Sequence, residues 1–410
     1  MKRIGIACTL GLFLTACGGN TVPSTNLTAD IQPQTVSAAE PDELFCTGQT
    51  AFALSLLQET VSEENLLLSP YSVMQALAMT ANGADGETRT QMEQVLGGLP
   101  METLNPYLYT MRSQQPNTEH YKLLTANSVW IRNDAERIRV KPDFLQTNAD
   151  YYGADAYNAP FDNSTVSDIN QWCSDHTDGM IPELLNRIED EAVMYLINAV
   201  LFDSKWARPY TSEPRDCNFT AQNGTNQTAQ MMYSDEHLYL EDANATGFMK
   251  RYEGGQYAFA ALLPEEGMSA ADYIAGLTAE SLRDTLTNPQ SCEVRAGLPA
   301  FSYDYDTELS DALKAMGMPL AFTDSADFTR MADTESDSLY ISGVLHKTHI
   351  DVNTEGTRAA AVTAVEVYTS EAIATEEPKY VILDRPFLYM ILDTETCLPI
   401  FVGVLNEIPS

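Results

Sequence analysis

The sequence predicts a mixed α and β domain built around a large sheet, on three observations. Segments with apolar residues at helical spacing occur beside long apolar runs rich in β-branched and aromatic residues. Neither internal repeats nor a second linker interrupt the chain after Glu43. With 410 residues, 44% of them hydrophobic, the chain is globular and long enough to bury one large core or two ordinary ones.

Taken in order, Lys2 and Arg3 precede the apolar stretch Ile4 to Phe13, too short to span a membrane, and then "LTAC", Leu14 to Cys17. This resembles a bacterial lipoprotein signal, which implies that residues 1–16 are removed and that Cys17 is lipidated. Residues 17–42, rich in Gly, Pro, Ser and Thr without periodicity, read as a flexible tether. The domain then occupies 43–410. "FCTGQTAFALSLLQET" has helical spacing, and "NLLLSP" reads as a short buried strand stopped by Pro70. "SPYSVMQALAMTANGADGETRTQMEQVLGG" reads as two helices. Ser69 caps the first, Pro70 occupies its first turn, Val73, Ala76 and Leu77 form its core face, and Gly83 ends it. "YKLLTANSVWI" and "AVMYLINAVLFDSKW" suit strands covered on both faces.

Charge and chemistry narrow the function. With 23 Lys+Arg against 58 Asp+Glu the formal charge is −35, and loss of Lys2 and Arg3 with the signal makes it −37. Nucleic acid, polyanions and anionic lipid surfaces are repelled, so a partner is neutral or basic. Beyond Cys8 and Cys17, Cys46, Cys173, Cys217, Cys292 and Cys397 show no close C-x-x-C spacing. They read as mostly buried thiols, with any pairing left open. His346 and His349, the one close histidine pair, read as structural, so no metal site is expected. No G-x-S-x-G elbow, H-E-x-x-H, P-loop or G-x-G-x-x-G occurs, and an enzyme is not what the residues offer.

One stretch, Val352 to Tyr380, is ambiguous by composition. Its alanines favour helix, its valines and threonines favour strand, and its acidic end favours solvent.

"NLLLSPYSVMQALAMTANGADGETRTQM", "NAVLFDSKW", "LPAFSYDYDTELSDALKAMGMPLAFTDSADFTRM", "HKTHIDVNTEGTRAAAVTA", "DRPFLYMI" and "PIFVGVLNEIPS" resemble, in the same order, segments of the serpin family, from about Glu43 to Pro409. The resemblance implies an α+β fold with three β-sheets, eight or nine helices and an exposed reactive loop that inserts into the largest sheet after cleavage. Val352 to Tyr380 is then loop before reaction and central strand after it. It also implies a monomeric serine protease inhibitor, not an enzyme. The protein would need no cofactor and act as a suicide substrate that holds its target as a covalent acyl complex. It would be exported and lipid-anchored at a bacterial surface or envelope, or released from it.

The residues fit insertion. The alternating set Thr357, Ala359, Ala361, Thr363, Val365, Val367 and Thr369 carries no charge, while Arg358 and Glu366 fall on the opposite face. By resemblance, Gly356, Thr357, Arg358, Ala359, Ala360 and Ala361 form the hinge. Ser69, Ser72, Asn198 and His346 form a polar cluster beneath the opening sheet, and Trp206 stands where insertion begins. Thr354 stands where an acid is usual and Arg358 where glutamate is usual. Counting from Gly356 places the reactive bond at Ser370-Glu371. A slipped register gives Tyr368, Thr369, Ala372 or Ile373, because the segment before Pro386 is longer than in familiar members. None of these is Arg or Lys, so an elastase-like or subtilisin-like target is expected, not a trypsin-like one. A non-inhibitory serpin acting as substrate or binding module, and a cross-class inhibitor of papain-like cysteine proteases, are the alternatives.

Overall fold

The computed structural model describes residues 24–118, 121–133, 138–334, 339–357 and 377–409. The signal, Cys17, the hinge residues Arg358, Ala359, Ala360 and Ala361, and the reactive bond Ser370-Glu371 lie outside the described residues.

Helix Glu43–Thr60 begins where Asp42 Oδ1 accepts the Phe45 N–H at 2.9 Å, and it buries Phe45, Phe52, Leu56 and Leu57. The strand Leu66–Leu68 leads into helix Pro70–Ala81, capped by Ser69 and wholly buried. A fully buried helix needs neighbours on every side, and this one packs between strands of two sheets. Helix Gly86–Val95 follows after the turn at Gly83. In all, the described residues contain nine α-helices and one 3₁₀ turn, Pro319–Phe322.

Three sheets carry the strands, as expected. The main sheet comprises β1 (Thr25–Asn26), β2 (Tyr121–Arg132), β3 (Asp155–Ala159), β4 (Met194–Lys205), β5 (Phe301–Glu308), β6 (Gly343–Val352) and β7 (Gly356–Thr357), in the order β1-β3-β2-β4-β7-β6-β5. The two long apolar runs are its central antiparallel pair β2 and β4, in register from Tyr121 opposite Ser204 to Ile131 opposite Met194. The second sheet has nine strands, and its Tyr257–Pro264 and Pro399–Leu405 are buried throughout. A third, two-stranded sheet joins Ile138–Val140 to Ala332–Thr334.

Two expectations are revised. The described part of the expected tether, 24–42, is laid along the domain and not free. Thr25 and Asn26 pair with β3, Leu27 N donates to Ala156 O at 2.7 Å, and Leu27 and Ile31 pack on the core. A few apolar anchors suffice to dock a segment that has no periodicity. All five cysteines of the domain are free thiols, yet only Cys46 and Cys173 are buried, and Cys217, Cys292 and Cys397 are partly exposed. Burial pushes the Cys46 thiol up to about 11 and Cys173 up to about 12, so neither supplies a thiolate near neutrality.

Candidate functional site

The main sheet is divided along the seam between β4 and β6. At its lower end the two strands pair in parallel, Gly343 to Lys347 against Tyr195 to Ala199. At its upper end β7 is wedged between them. Gly356 lies opposite Lys205, and Thr357 lies opposite Ser204 on one side and Val352 on the other. Between these points, residues 200–203 and 348–351 form no ladder with each other among the described residues.

Below the seam the structure brings Ser69, Ser72, Asn198 and His346 together, all buried. Ser69 N donates to His346 Nε2 at 3.1 Å, so that nitrogen carries no proton. The proton therefore sits on Nδ1, which donates to Asn198 Oδ1 at 2.9 Å. Asn198 Nδ2 donates to the Ser72 hydroxyl and, at 2.6 Å, to Asn127 Oδ1, and Asn127 Nδ2 reaches Gln75 Oε1 at 3.2 Å. Burial holds the His346 pKa down at about 3, so the cluster is neutral. It is no catalytic dyad. The Ser69 hydroxyl donates to Ile400 O at 2.8 Å, and only its backbone N–H meets the imidazole. What the cluster does is tie helix Pro70–Ala81 to β2, β4 and β6 through neutral hydrogen bonds that break if the strands part.

Trp206 stands at the upper end, apart from that cluster. Its backbone N–H donates to Glu355 O at 2.8 Å and its indole Nε1 to Asn353 O at 2.9 Å, while Tyr210 N donates to Thr354 O at 3.1 Å. Three successive carbonyls of the turn leading into β7 are thus held by two aromatic residues. Trp206 stacks on Tyr252 with ring centroids 4.5 Å apart, and the Tyr252 hydroxyl pairs with Thr357 Oγ1 at 2.6 Å. Beneath the rings lies a buried ion pair, Lys250 Nζ to Glu236 Oε1 at 2.7 Å, with the ammonium 4.5 Å from the Tyr210 ring and 5.6 Å from that of Trp206. Gly356 is required by close approach, since a Cβ there would lie 2.2 Å from Ser204 O.

Asn127, Gln75, Tyr210, Tyr252, Lys250 and Glu236 were not singled out from sequence. For Asn127 and Gln75 a signal existed, because a polar residue inside an apolar strand run or a buried helix must find a partner. Of the expected pair, His349 is separate from the cluster and bonds through Nδ1 to Asp304 Oδ1 at 2.7 Å. No group of three or more His, Cys, Asp or Glu is placed to hold a metal among the described residues.

The sequence profile of a family described as Serpin (serine protease inhibitor) matches residues 47–408. An uncharacterised serpin-like protein of Thermococcus kodakarensis is 30% identical over 363 residues, covering 86% of this chain and 83% of its own length. The leukocyte elastase inhibitor of Bos taurus is 29% identical, covering 89% and 100%. Among solved structures, the thermophilic serpin tengpin in its native state is 44% identical, covers 94% of this chain and 100% of its own, and superposes with a TM-score of 0.89. Its latent state, 41% identical and covering 91% and 100%, gives 0.79, so the arrangement described here lies nearer the native form. A chain with this seam, this order of sheets and these relatives belongs to the serpin family.

Proposed function

We propose that the protein inhibits serine proteases as a single-use substrate. The observation that carries this reading is the seam, a central sheet paired below, parted above, with β7 already started between its two middle strands. The strand that β7 begins would be completed by the residues after Thr357. In the reaction, the protease serine oxygen attacks the carbonyl of residue 370, the peptide C–N bond breaks, and the amine leaves as a new N-terminus at Glu371. Residues 357–370, inserted at about 3.3 Å per residue, would carry the bound protease roughly 45 Å before water hydrolyses the ester. Strain held in the uninserted sheet is the driving force.

Small or aliphatic candidates at the bond, and similarity to a protein named leukocyte elastase inhibitor, support an elastase-like or subtilisin-like target. The same reading places the protein outside the cytoplasm, held by lipid on Cys17. The test is incubation with a panel of serine and cysteine proteases, followed by a search for a complex stable in denaturant. Such a complex with an elastase-like enzyme is expected. Cleavage of the loop by every member without any complex would reject inhibition and favour a substrate or binding role. Thr357→Arg puts a charge where a 2% exposed side chain now packs, and it is expected to be cleaved without trapping.

A further inference from the structure

A cavity of about 560 Å³ opens beside the first turn of helix Glu43–Thr60, a volume within the usual range of small-molecule sites. Part of its wall is apolar and buried, with Tyr71, Leu123, Tyr257 and Ile400 each 5% exposed or less. Its charged wall is almost all of one sign: Glu40, Asp42, Glu43, Asp393 and Glu395 against Arg283.

The guanidinium is already taken. Arg283 Nε and Nη2 both donate to the Glu43 carboxylate at 2.7 Å, and Nη1 donates to Thr396 O at 3.0 Å. Asp42 accepts the Phe45 N–H at 2.9 Å and the Tyr107 hydroxyl at 2.7 Å, and Asp393 accepts the Thr396 N–H at 2.9 Å. Glu40 and Glu395 remain. Both are exposed, and neither carboxylate has a hydrogen bond or ion pair among the described residues. The acidic groups are not gathered for a metal, since no group of three or more is placed to hold one among the described residues. Charge spread in this way along an apolar wall suits an extended cation.

The apolar wall carries a second signal. The Tyr71 hydroxyl accepts from Gln115 Nε2 at 2.9 Å, and its own proton meets no acceptor among the described residues. A buried O–H left without an acceptor is costly, so a molecule that presents an oxygen there is favoured. We propose that the cavity binds a small organic cation with an apolar body. Its ammonium or guanidinium is held at Glu40 and Glu395, and its body lies against Leu123, Tyr257 and Ile400. An oxygen at its far end accepts the Tyr71 proton. An anion is repelled by the same wall, and a neutral molecule forgoes the two carboxylates. The site shares no residue with the seam, so its occupancy is measured without a protease.

Tyramine is the probe, because it carries an ammonium and a phenolic oxygen at opposite ends of one ring. Calorimetric titration of the full-length protein at low salt is expected to show one tyramine bound per chain. Tyrosol, with a hydroxyl in place of the ammonium, is expected to bind about tenfold more weakly, the size of two exposed ion pairs. Phenethylamine, without the phenolic oxygen, is expected to bind about fivefold more weakly, the size of one hydrogen bond. 4-Hydroxyphenylpropionate, with a carboxylate in place of the amine, is expected not to bind. Glu40→Gln combined with Glu395→Gln changes only exposed side chains, and it is expected to lower tyramine affinity about tenfold and leave tyrosol unchanged. Glu63→Gln combined with Glu266→Gln removes the same charge from exposed positions elsewhere and is expected to bind like wild type. Absence of tyramine binding, equal binding of 4-hydroxyphenylpropionate, or equal losses in the two double variants overturns the site.

Discussion

Protonating His346 is expected to loosen the lower seam. The imidazole is 1% exposed, and its Nε2 faces the Ser69 N–H, so a second ring proton would set donor against donor. Its folded pKa of about 3 lies below the unfolded value of about 6.5. Between those values the unfolded chain binds a proton that the folded chain refuses. The contribution of the neutral ring is therefore complete above about pH 6.5 and is lost as pH falls toward 3, at about 1.4 kcal/mol per pH unit. From about pH 6.5 to 4.5 the loss is roughly 3 kcal/mol. The assay is the urea midpoint of wild type and His346→Gln across that range. Glutamine offers an acceptor and a donor but does not titrate, and the many carboxylates shared by both proteins cancel in the difference. Wild type is expected to lose about 3 kcal/mol more than the variant. Identical pH profiles would refute the reasoning.

Three further outcomes are expected. Gly356→Ala sets a Cβ 2.2 Å from Ser204 O and 2.7 Å from Lys205 Cα, both backbone atoms, which costs about 1–3 kcal/mol and expels β7. Amide exchange at Trp206 and Tyr210 reads this directly, and unchanged exchange contradicts it. Cys17→Ser is expected to move the protein to the soluble exported fraction, and failure of labelled lipid to attach to wild type refutes the anchor. Ser370→Arg is expected to shift trapping toward trypsin, whose pocket carries a carboxylate, and the peptide released from wild type is expected to begin at Glu371. A peptide beginning beyond Ile373 refutes that register.

Much of the framework was legible because burial leaves a plain mark on composition. Strand β4 is buried from Met194 to Phe202 and β2 from Asn127 to Ile131, both read as apolar runs, and Ser69-Pro70 marks a helix start by local chemistry alone. The docking of 24–42 was not legible, since it depends on Leu27 and Ile31 meeting a surface made elsewhere. The seam cluster was anticipated only through family resemblance. The proton on His346 is set by Ser69 and Asn198, 277 and 148 residues away, and no local pattern encodes it. The pair Lys250–Glu236 was missed for a related reason. Each residue alone reads as a solvated charge, and only the folded chain buries the pair, with the rings of Trp206 and Tyr210 beside the ammonium.

The central claim is that β4 and β6 must part for trapping to occur. Ala199 and Lys347 are direct partners across the lower ladder, so Ala199→Cys with Lys347→Cys allows a disulfide to lock the seam. The measurement is the yield of denaturant-stable protease complex from this variant, oxidised and then reduced. The account predicts that the oxidised form is cleaved without trapping and that reduction restores the complex. Equal trapping by the locked and unlocked forms would contradict it.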